Sequence, residues 1–491
     1  MTHDAPPSGR LRWLALVVLC AGGLLIILDG SIVTVALPTI QRDLGFSRSG
    51  LAWVVNAYLI TFAGMLLLSG RLGDLIGRRR IFLSGLAVFT ISSLICGLSA
   101  DQAMLITFRF IQGIGGAMTA AVVLGMVVTM FPDAQERAKA IAVYSFVQAS
   151  GASIGVIAGG VLTQDINWHW IFIVNVPIGA VAGVLAMRLI QSDRGIGLRE
   201  GVDVLGAILV TAGLMLAVYT IAEAAIYGWG SGRTLGLGAV AAVLLVGFFL
   251  RQATTEKPLI PLRIFRSRPV SGANIIMVLM VAGLFGFQFF CALYMQRVLS
   301  YSPVQTSLAF LPGPVLIAVV SLGFAARLIG RFGARSVVLV GLALFAVAML
   351  LLTRAPLHGA YIVGVGPVVV LIGIGGGLVM PGLMGLAMST ATPSDSGLAS
   401  GLINTTQQAG GALGLAVLAT LAASRTRDLL AGGAAAKPAL NGGYHLAFGI
   451  SAAFLIAALV VAALMLKQPK GSEQSGAATA GESADALSSS A

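Results

Sequence analysis

The feature that most constrains this 491-residue chain is a series of long apolar segments joined by short polar connections. Runs of roughly 18 to 25 apolar residues are long enough to cross the hydrocarbon core of a bilayer, which is about 30 Å thick. The sequence therefore predicts an all-α membrane protein with fourteen transmembrane helices. The predicted spans are 14–36, 51–69, 81–99, 104–130, 138–162, 170–190, 204–224, 235–252, 271–296, 307–327, 336–353, 360–388, 398–422 and 445–466.

The balance of residue types supports a membrane protein and argues against a nucleic-acid-binding one. Hydrophobic residues make up 57% of the chain and charged residues 10%, whereas soluble domains average about 45–50% and 25%. The net charge of +12 would suggest nucleic acid as the partner of a soluble protein. Here the basic residues lie in short connections between apolar runs, so the lipid bilayer explains them better and no nucleic-acid partner is expected.

The segment Gly70–Arg80 places four arginines between two apolar runs and orients the chain. Loops rich in Lys and Arg stay on the cytoplasmic side of a membrane. With that loop inside, 21 of the 30 basic residues fall on the cytoplasmic side and eight fall outside, while Arg109 lies within a span. The count predicts a multi-pass protein of the cytoplasmic membrane with both termini in the cytoplasm.

The sequence contains no motif of a nucleotide-driven pump, a metalloprotein or an enzyme. A phosphate-binding G-x-x-x-x-G-K-[ST] loop, a zinc-spaced Cys/His set and a plausible catalytic triad are all absent from the sequence. Cys20, Cys96 and Cys291 lie in apolar runs, where a disulfide framework is not expected. We therefore expect no enzymatic activity, no cofactor and no metal.

An internal repeat divides the chain into two halves. Residues 326–335 align with residues 70–79 and retain Arg-Leu, the second Gly and a terminal Arg. If two spans are set aside as an insertion, each copy joins the second and third helices of a six-helix half, as in transporters built from parallel repeats. The predicted domains are a six-helix bundle at 1–199, two inserted helices at 200–255, a cytoplasmic linker with a second bundle at 256–466, and a disordered cytoplasmic tail at 467–491.

Several motifs together resemble the major facilitator superfamily, and more closely its fourteen-helix drug:proton antiporter branch. The loop signature G-x-L-x-D-x-x-G-R-[RK] matches at Gly70–Arg79. Leu28–Pro38 resembles the first-helix signature of the branch, with Ser31 and Thr34 as conservative departures, and a fourth-helix R-x-x-Q-G pattern matches at Arg109–Gly113. The resemblance covers nearly the whole chain and implies an alternating-access transporter.

The fifth-helix antiporter signature is only partly present. Gly151, Gly155 and Gly159 keep its glycine stripe, and small residues four apart let two helices pack closely. Val156 stands where the signature has proline. A proline has no backbone N–H to donate and bends its helix, and a valine does neither. The resemblance implies that the glycine stripe takes part in conformational gating.

Asp29 and Arg109 are charged groups placed inside predicted spans. A charged carboxylate at membrane depth costs about 2.5–3.5 kcal/mol, so Asp29 should face the bundle interior and take up and release a proton. Its alternative is a neutral acid that hydrogen-bonds a neighbouring helix. For Arg109, with Gln112 beside it, the resemblance implies a role in proton coupling; the alternative is an arginine that reaches the interface.

Asp74 and Arg78 are spaced to share one helix face within the Gly70–Arg80 loop. By resemblance this loop, with Gly70 and Gly77, clamps the two halves together in the outward-open state. The simpler interpretation is that the loop only sets the orientation of the chain in the membrane and forms a tight turn. The loop can also do both. The repeated copy has Gly330 in place of Asp74, which favours a role for the acid beyond turning the chain.

Polar and aromatic residues within the spans are candidates for a substrate cavity. Aromatic and methionine walls suit amphipathic ligands, although ordinary interhelical packing is the alternative for each residue. Glu223, near the outer end of the seventh span, is either a second acid for cationic substrates or a solvated helix end. The candidates are Asn56, Tyr58, Gln288, Tyr294, Asn404, Gln408 and Glu223.

These observations predict proton-coupled efflux of amphipathic drugs or toxic compounds, cationic ones included, across a bacterial cytoplasmic membrane. Protons and a small-molecule substrate are the expected partners, and the protein is expected to be a monomer. One alternative keeps the fold and exports an endogenous antibiotic, metabolite or lipid. The other is a membrane receptor that transports nothing.

Overall fold

A computed structural model describes residues 9–466, apart from 47, 194, 196, 198–202, 256–257, 259–264, 266, 358 and 389–395. All its regular elements are helices: α1 (Gly9–Leu44), α2 (Arg48–Ile76), α3 (Arg78–Gly97), α4 (Gln102–Met130), α5 (Ala134–Asp165), α6 (Trp170–Ile173), α7 (Asn175–Leu189), α8 (Val204–Tyr227), α9 (Gly232–Thr254), α10 (Arg268–Arg297), α11 (Pro303–Phe310), α12 (Pro312–Val320), α13 (Ala326–Leu352), α14 (Gly366–Ala387), α15 (Ser396–Ala431) and α16 (Ala436–Met465). The predicted tail at 467–491 lies outside the described residues.

The prediction of an all-α membrane protein is confirmed. Within the described residues, twelve helical stretches are long and apolar enough to span a membrane, and one of them, Leu308–Leu352, has 45 residues. A π-helical turn at Ser321–Ala325 joins α12 to α13, and Gly333, with φ of 80°, breaks α13. Divided at Gly333, this stretch supplies two spans, which makes thirteen. Helix α5 is not among the twelve, but its 32 residues are long enough to cross a bilayer and would make the predicted fourteen.

Asp203 fixes one end of the inserted helical pair. Its carboxylate caps α8 through the backbone N–H of Gly206 and accepts hydrogen bonds from Arg251 and Gln252 of α9, at 2.6 and 2.8 Å. Burial raises the pKa of this acid, but the hydrogen bonds and the Arg251 charge outweigh burial and hold the pKa below its usual value. The two inserted helices are therefore joined by a charged link at one end.

Helix α8 of the inserted pair packs against the seam between the two halves. Helix α8 contacts both α2 and α15, while α2 and α15 contact each other directly. The approach of α8 to α2 is close, because a Cβ at Gly64 would lie 2.4 Å from the Met215 side chain. The division into domains at residues 199, 255 and 466 stays a prediction.

Candidate functional site

Asp29, Arg109 and Gln112 form one buried cluster, which we call the ion site. The Asp29 carboxylate is fully buried and accepts a hydrogen bond from the Arg109 guanidinium at 2.5 Å. The Gln112 amide donates to the other Asp29 oxygen at 2.9 Å and accepts from Arg109 at 2.8 Å. Two charges from α1 and α4 are thus paired, and each is further held by a hydrogen-bonding neighbour, as a buried ion pair requires.

Residues from three further helices complete the ion site. Asn175, the first residue of α7, and Ser93 of α3 hydrogen-bond each other at 3.1 Å and approach Asp29 and Gln112. The carbonyl oxygen of Val54 in α2 accepts from Arg109 at 2.9 Å. Sequence analysis missed Ser93 and Asn175, since a single hydroxyl or amide in an apolar run carries no signal of its own.

An apolar cluster covers the ion site near the ends of α1, α3 and α4. Trp168 is fully buried there, and the Phe172 ring lies 5.7 Å from the Arg109 guanidinium. The Trp168 indole donates to Asp43 at 2.8 Å, which fixes it in place. An apolar surrounding strengthens the attraction between the Asp29 carboxylate and the Arg109 guanidinium, so the cluster stabilises their ion pair in the described conformation.

A cavity of about 320 Å³ lies between the two halves. Its described polar lining consists of hydroxyl and amide side chains, and the remaining lining is aliphatic, aromatic, Met or Gly. The polar residues are Tyr58, Ser145, Gln148, Asn404, Gln407 and Gln408. The apolar ones include Phe62, Phe345, Met380 and Met384.

Tyr58 separates the ion site from the cavity. The Arg109 guanidinium lies 4.4 Å from the centre of the Tyr58 ring, a cation–π contact, and Tyr58 also lines the cavity. The ring stacks on Phe62 at 5.6 Å. Its hydroxyl is buried without a hydrogen-bond partner among the described residues. Tyr58 thus both contacts Arg109 and lines the cavity.

The predicted cavity set is only partly brought together. Tyr58, Asn404 and Gln408 line the cavity, whereas Asn56, Gln288 and Tyr294 do not. Gln288 is exposed, and the Tyr294 hydroxyl donates to the carbonyl of Pro356 at 2.6 Å. These last three placements correct the prediction. Helix α10 presents aromatic residues on every face, so its periodicity did not show which stripe faces the cavity.

Glu223 and Val156 belong to helices α8 and α5, but their side chains lie outside the described residues. Helix α8 supplies none of the described lining residues of the cavity. The prediction for Glu223 therefore stays open between a second acid and a solvated helix end.

The loop signature forms a junction between the halves, which we call the latch. Asp74 accepts hydrogen bonds from the backbone N–H groups of Gly397 and Leu398, at 2.9 and 2.8 Å, where α15 begins. It also pairs with Arg78 at 2.9 Å. Negative charge is favoured at a helix N-terminus, so Asp74 ties α2 to the second half. Gly70 allows the approach, because a Cβ there would lie 2.5 Å from the Gly397 carbonyl oxygen.

The prediction that Asp74 and Arg78 share one helix face is wrong, although the pair itself exists. Helix α2 ends at Ile76 and α3 begins at Arg78, because Gly77 adopts φ of 104°, which L side chains rarely adopt. Asp193, which sequence analysis missed, accepts from the backbone N–H groups of Arg78 and Arg79, at 2.7 and 3.1 Å. The segment that follows α7 therefore caps α3 beside the latch.

The glycine stripe of α5 packs directly against α1. Cβ atoms at Gly151, Gly155 and Gly159 would lie within 3 Å of Leu24, Ser31 and the Ile32 carbonyl, respectively. Since these three positions lack side chains, the two helices approach closely beside Asp29.

Replacing Gly155 with alanine is expected to destabilise the protein, because the added Cβ would lie 2.0 Å from the Ser31 hydroxyl and 2.9 Å from the Leu28 carbonyl oxygen. Overpacking of this kind costs about 1–3 kcal/mol, which thermal unfolding in detergent would register as a clear fall in Tm. Gly160→Ala is the matched control on the same helix, since a Cβ there meets nothing within 4 Å. Equal Tm values for the two variants would contradict close packing at the stripe.

Comparison with known proteins gives a consistent set of relatives. Residues 19–415 match the profile described as Major Facilitator Superfamily. The puromycin resistance protein pur8 of Streptomyces alboniger is 38% identical, over 92% of this chain and 90% of its own. The cephamycin export protein CmcT of Amycolatopsis lactamdurans is 40% identical, over 84% of this chain and 85% of its own. The crystal structure of the human organic anion transporter MFSD10 shares the fold, with a TM-score of 0.66, 16% identity, and 92% and 99% of the two chains covered.

Proposed function

Because the chain belongs to the major facilitator superfamily, we propose that it is a secondary active exporter that exchanges external protons for amphipathic small molecules, drugs and antibiotics among them. The protein is a multi-pass membrane transporter rather than an enzyme. Its relatives include proteins named for puromycin resistance and cephamycin export. We assign it to the bacterial cytoplasmic membrane as a monomer, with the latch and both termini on the cytoplasmic side.

The buried Asp29–Arg109 pair carries the proposal of proton coupling. Ionisable side chains at membrane depth are expensive, and they mark proton relays and ion pathways. Asp29 is the acid of the pair, and Arg109 stays charged in both states of the acid. Uptake of a proton by Asp29 removes one of the two attracting charges, so the pair loosens when the acid is protonated.

Tyr58 supplies a route from the cavity to the ion site. A ligand that packs against the Tyr58 ring shares that ring with the Arg109 guanidinium. The position of the Tyr58 ring depends on whether the cavity is filled. That position decides whether Arg109 stays paired with Asp29 or is displaced from it. Substrate and proton then compete through one side chain, without the substrate touching Asp29.

The latch supplies the second state that alternating access needs. With Asp74 bound to the first turn of α15, the two halves are joined at the end of the bundle where α2 finishes and α15 begins. Opening at that end breaks these hydrogen bonds. We assign the described conformation to the state closed towards the cytoplasm, and Gly70, Gly77 and the α5 glycines to its gating.

Export of an antibiotic made by the same cell is the second candidate for the cargo. The names of two relatives favour it, since CmcT is called an export protein for cephamycin, and a relative from Streptomyces glaucescens is called a tetracenomycin C resistance and export protein. The two candidates share the fold, the ion site and the coupling, and they differ in the range of compounds moved.

Purified protein in liposomes provides the direct test of exchange. With an imposed pH gradient, the protein should concentrate Nile red or puromycin in the compartment from which protons leave. Nigericin, which dissipates that gradient, should remove the accumulation, because without a proton gradient nothing favours one direction. Accumulation that survives nigericin with no other ion gradient present would contradict proton coupling, and binding without any movement would favour a receptor.

A further inference from the structure

The polar part of the cavity wall is uncharged. All six polar lining residues are hydroxyl or amide side chains, and among the described lining residues none is Asp, Glu, Lys, Arg or His. A cation moved from water into such a wall loses hydration and gains no opposite charge, which disfavours its binding. A neutral molecule does not meet that penalty.

The nearby acid does not provide the missing charge. Asp29 is fully buried and already holds Arg109 and Gln112, with the Tyr58 ring between the guanidinium and the cavity. A cationic substrate would have to displace Arg109 from Asp29 and leave a second buried cation without its partner. Removing one partner of a buried pair is strongly unfavourable.

The cavity lining includes hydrogen-bonding side chains from both halves. The hydroxyl of Tyr58 and the amide oxygen of Gln148 are buried without partners among the described residues, although both side chains line the cavity. Helix α15, which packs against α2 and α4, contributes Asn404, Gln407 and Gln408 from the second half. Amides and hydroxyls from both halves, together with the Phe62 and Phe345 rings of the same lining, suit a ring system that carries carbonyl and hydroxyl groups.

We infer that the cavity prefers uncharged amphipathic molecules with carbonyl or hydroxyl groups over cations of the same skeleton. This inference rests on the proposed export function and narrows its cargo. It also gives the two sites separate roles: the ion site binds the proton, and the cavity binds the neutral substrate.

Two dyes with one ring skeleton test the inference. Nile red is neutral and carries a carbonyl group, whereas Nile blue is a cation on the same benzophenoxazine skeleton. Binding of each dye to the full-length protein in nanodiscs would be measured by fluorescence, with empty nanodiscs subtracted. We expect Nile red to bind at least about tenfold more tightly, a ratio set by the desolvated charge.

A variant that adds a charge to the cavity should reverse this preference. Gln408→Glu puts a carboxylate on the wall, so the Nile blue to Nile red affinity ratio should rise by about tenfold or more. Gln296→Glu makes the same change at an exposed position near the end of α10 and should leave the ratio unchanged. Because each comparison uses the same two dyes, partition into the lipid cancels.

Equal or tighter binding of Nile blue by the unmodified protein would overturn the inference, and so would a ratio that Gln408→Glu leaves unchanged. Failure of Nile red to bind would overturn it as well. A cation-preferring protein that still exports dye along a proton gradient would leave the proposed function intact. If the protein showed no proton-driven transport but still preferred Nile red, the proposed antiport would be contradicted. The inferred preference of the cavity for neutral molecules would still be supported.

Discussion

Replacing Asp29 with asparagine is expected to abolish proton-driven accumulation of substrate, with a loss of at least about a hundredfold, because the amide cannot take up a proton. Exchange of labelled for unlabelled substrate, which needs no proton, should continue. The measurement is a pair of liposome assays on one preparation, one with a pH gradient and one with substrate on both sides.

The stability of the same variant reports on the ion pair itself. Asp29→Asn leaves the Arg109 guanidinium buried without a carboxylate partner among the described residues, and breaking a buried pair costs about 3–5 kcal/mol. The double variant Asp29→Asn/Arg109→Gln removes both charges, so most of the lost stability should return while coupling stays absent.

An exposed acid provides the control for this experiment. Asp165 lies at the end of α5 and is exposed, so Asp165→Asn should leave both transport and Tm unchanged. Full proton-driven transport by Asp29→Asn would remove Asp29 from the mechanism. A double variant no more stable than Asp29→Asn would show that the pair does not act as a unit.

Removing the latch carboxylate is expected to open the bundle at the end where α15 begins. Asp74→Ala deletes two hydrogen bonds to backbone N–H groups of α15 and the charge that pairs with Arg78. Charge-assisted bonds contribute about 1.5–3 kcal/mol each, so the equilibrium between closed and open states should shift by at least about tenfold. Asp74→Asn retains one acceptor oxygen, so its equilibrium between closed and open states should lie between those of the unmodified protein and Asp74→Ala.

A cysteine placed beside the latch makes this opening measurable. Ser400, on α15 one turn after Gly397, is fully buried, so Ser400→Cys in a background without the three native cysteines should resist maleimide. The same cysteine should react readily when Asp74 is replaced with alanine.

Asp133→Ala is the matched control for the latch. That acid also caps a helix, through the N–H groups of Gln135 and Glu136, but it lies within one half. Its loss should destabilise α5 without exposing Ser400→Cys. Equal labelling in the Asp74 and Asp133 variants would mean that helix capping, rather than a junction between halves, protects the position.

The helices were predictable from the sequence because each span is a local property. A run of apolar residues long enough for a bilayer predicts a helix without knowledge of its neighbours. The same reasoning singled out Asp29 and Arg109, since charges in apolar runs are costly. Their pairing was not predictable, because 80 residues separate them and only the packing of α1 against α4 brings them together.

The errors of the sequence analysis have physical causes. The spacing of Asp74 and Arg78 predicted a continuous helix, but Gly77 ends it with a positive φ, and a Cβ there would lie 2.6 Å from the Asp193 carbonyl oxygen. Gln288 and Tyr294 share their helix with aromatic residues on all faces, so no polar stripe identified the side that faces the cavity. Asp193 lies in an irregular segment, where periodicity gives no information.

The charges of the ion site determine how the membrane potential acts on the transporter. Asp29 and Arg109 cancel while the acid is ionised, and a bound proton leaves the site with one net positive charge. In the proposed exchange of one such proton for a neutral molecule, one charge would move inward per cycle, so about 2.3 kcal/mol per 100 mV would add to the pH gradient. Export of a monovalent cation by the same site would be electrically silent. From the proposed exchange we expect a cell whose pH gradient has collapsed still to expel a neutral compound, because its electrical potential alone would drive the cycle.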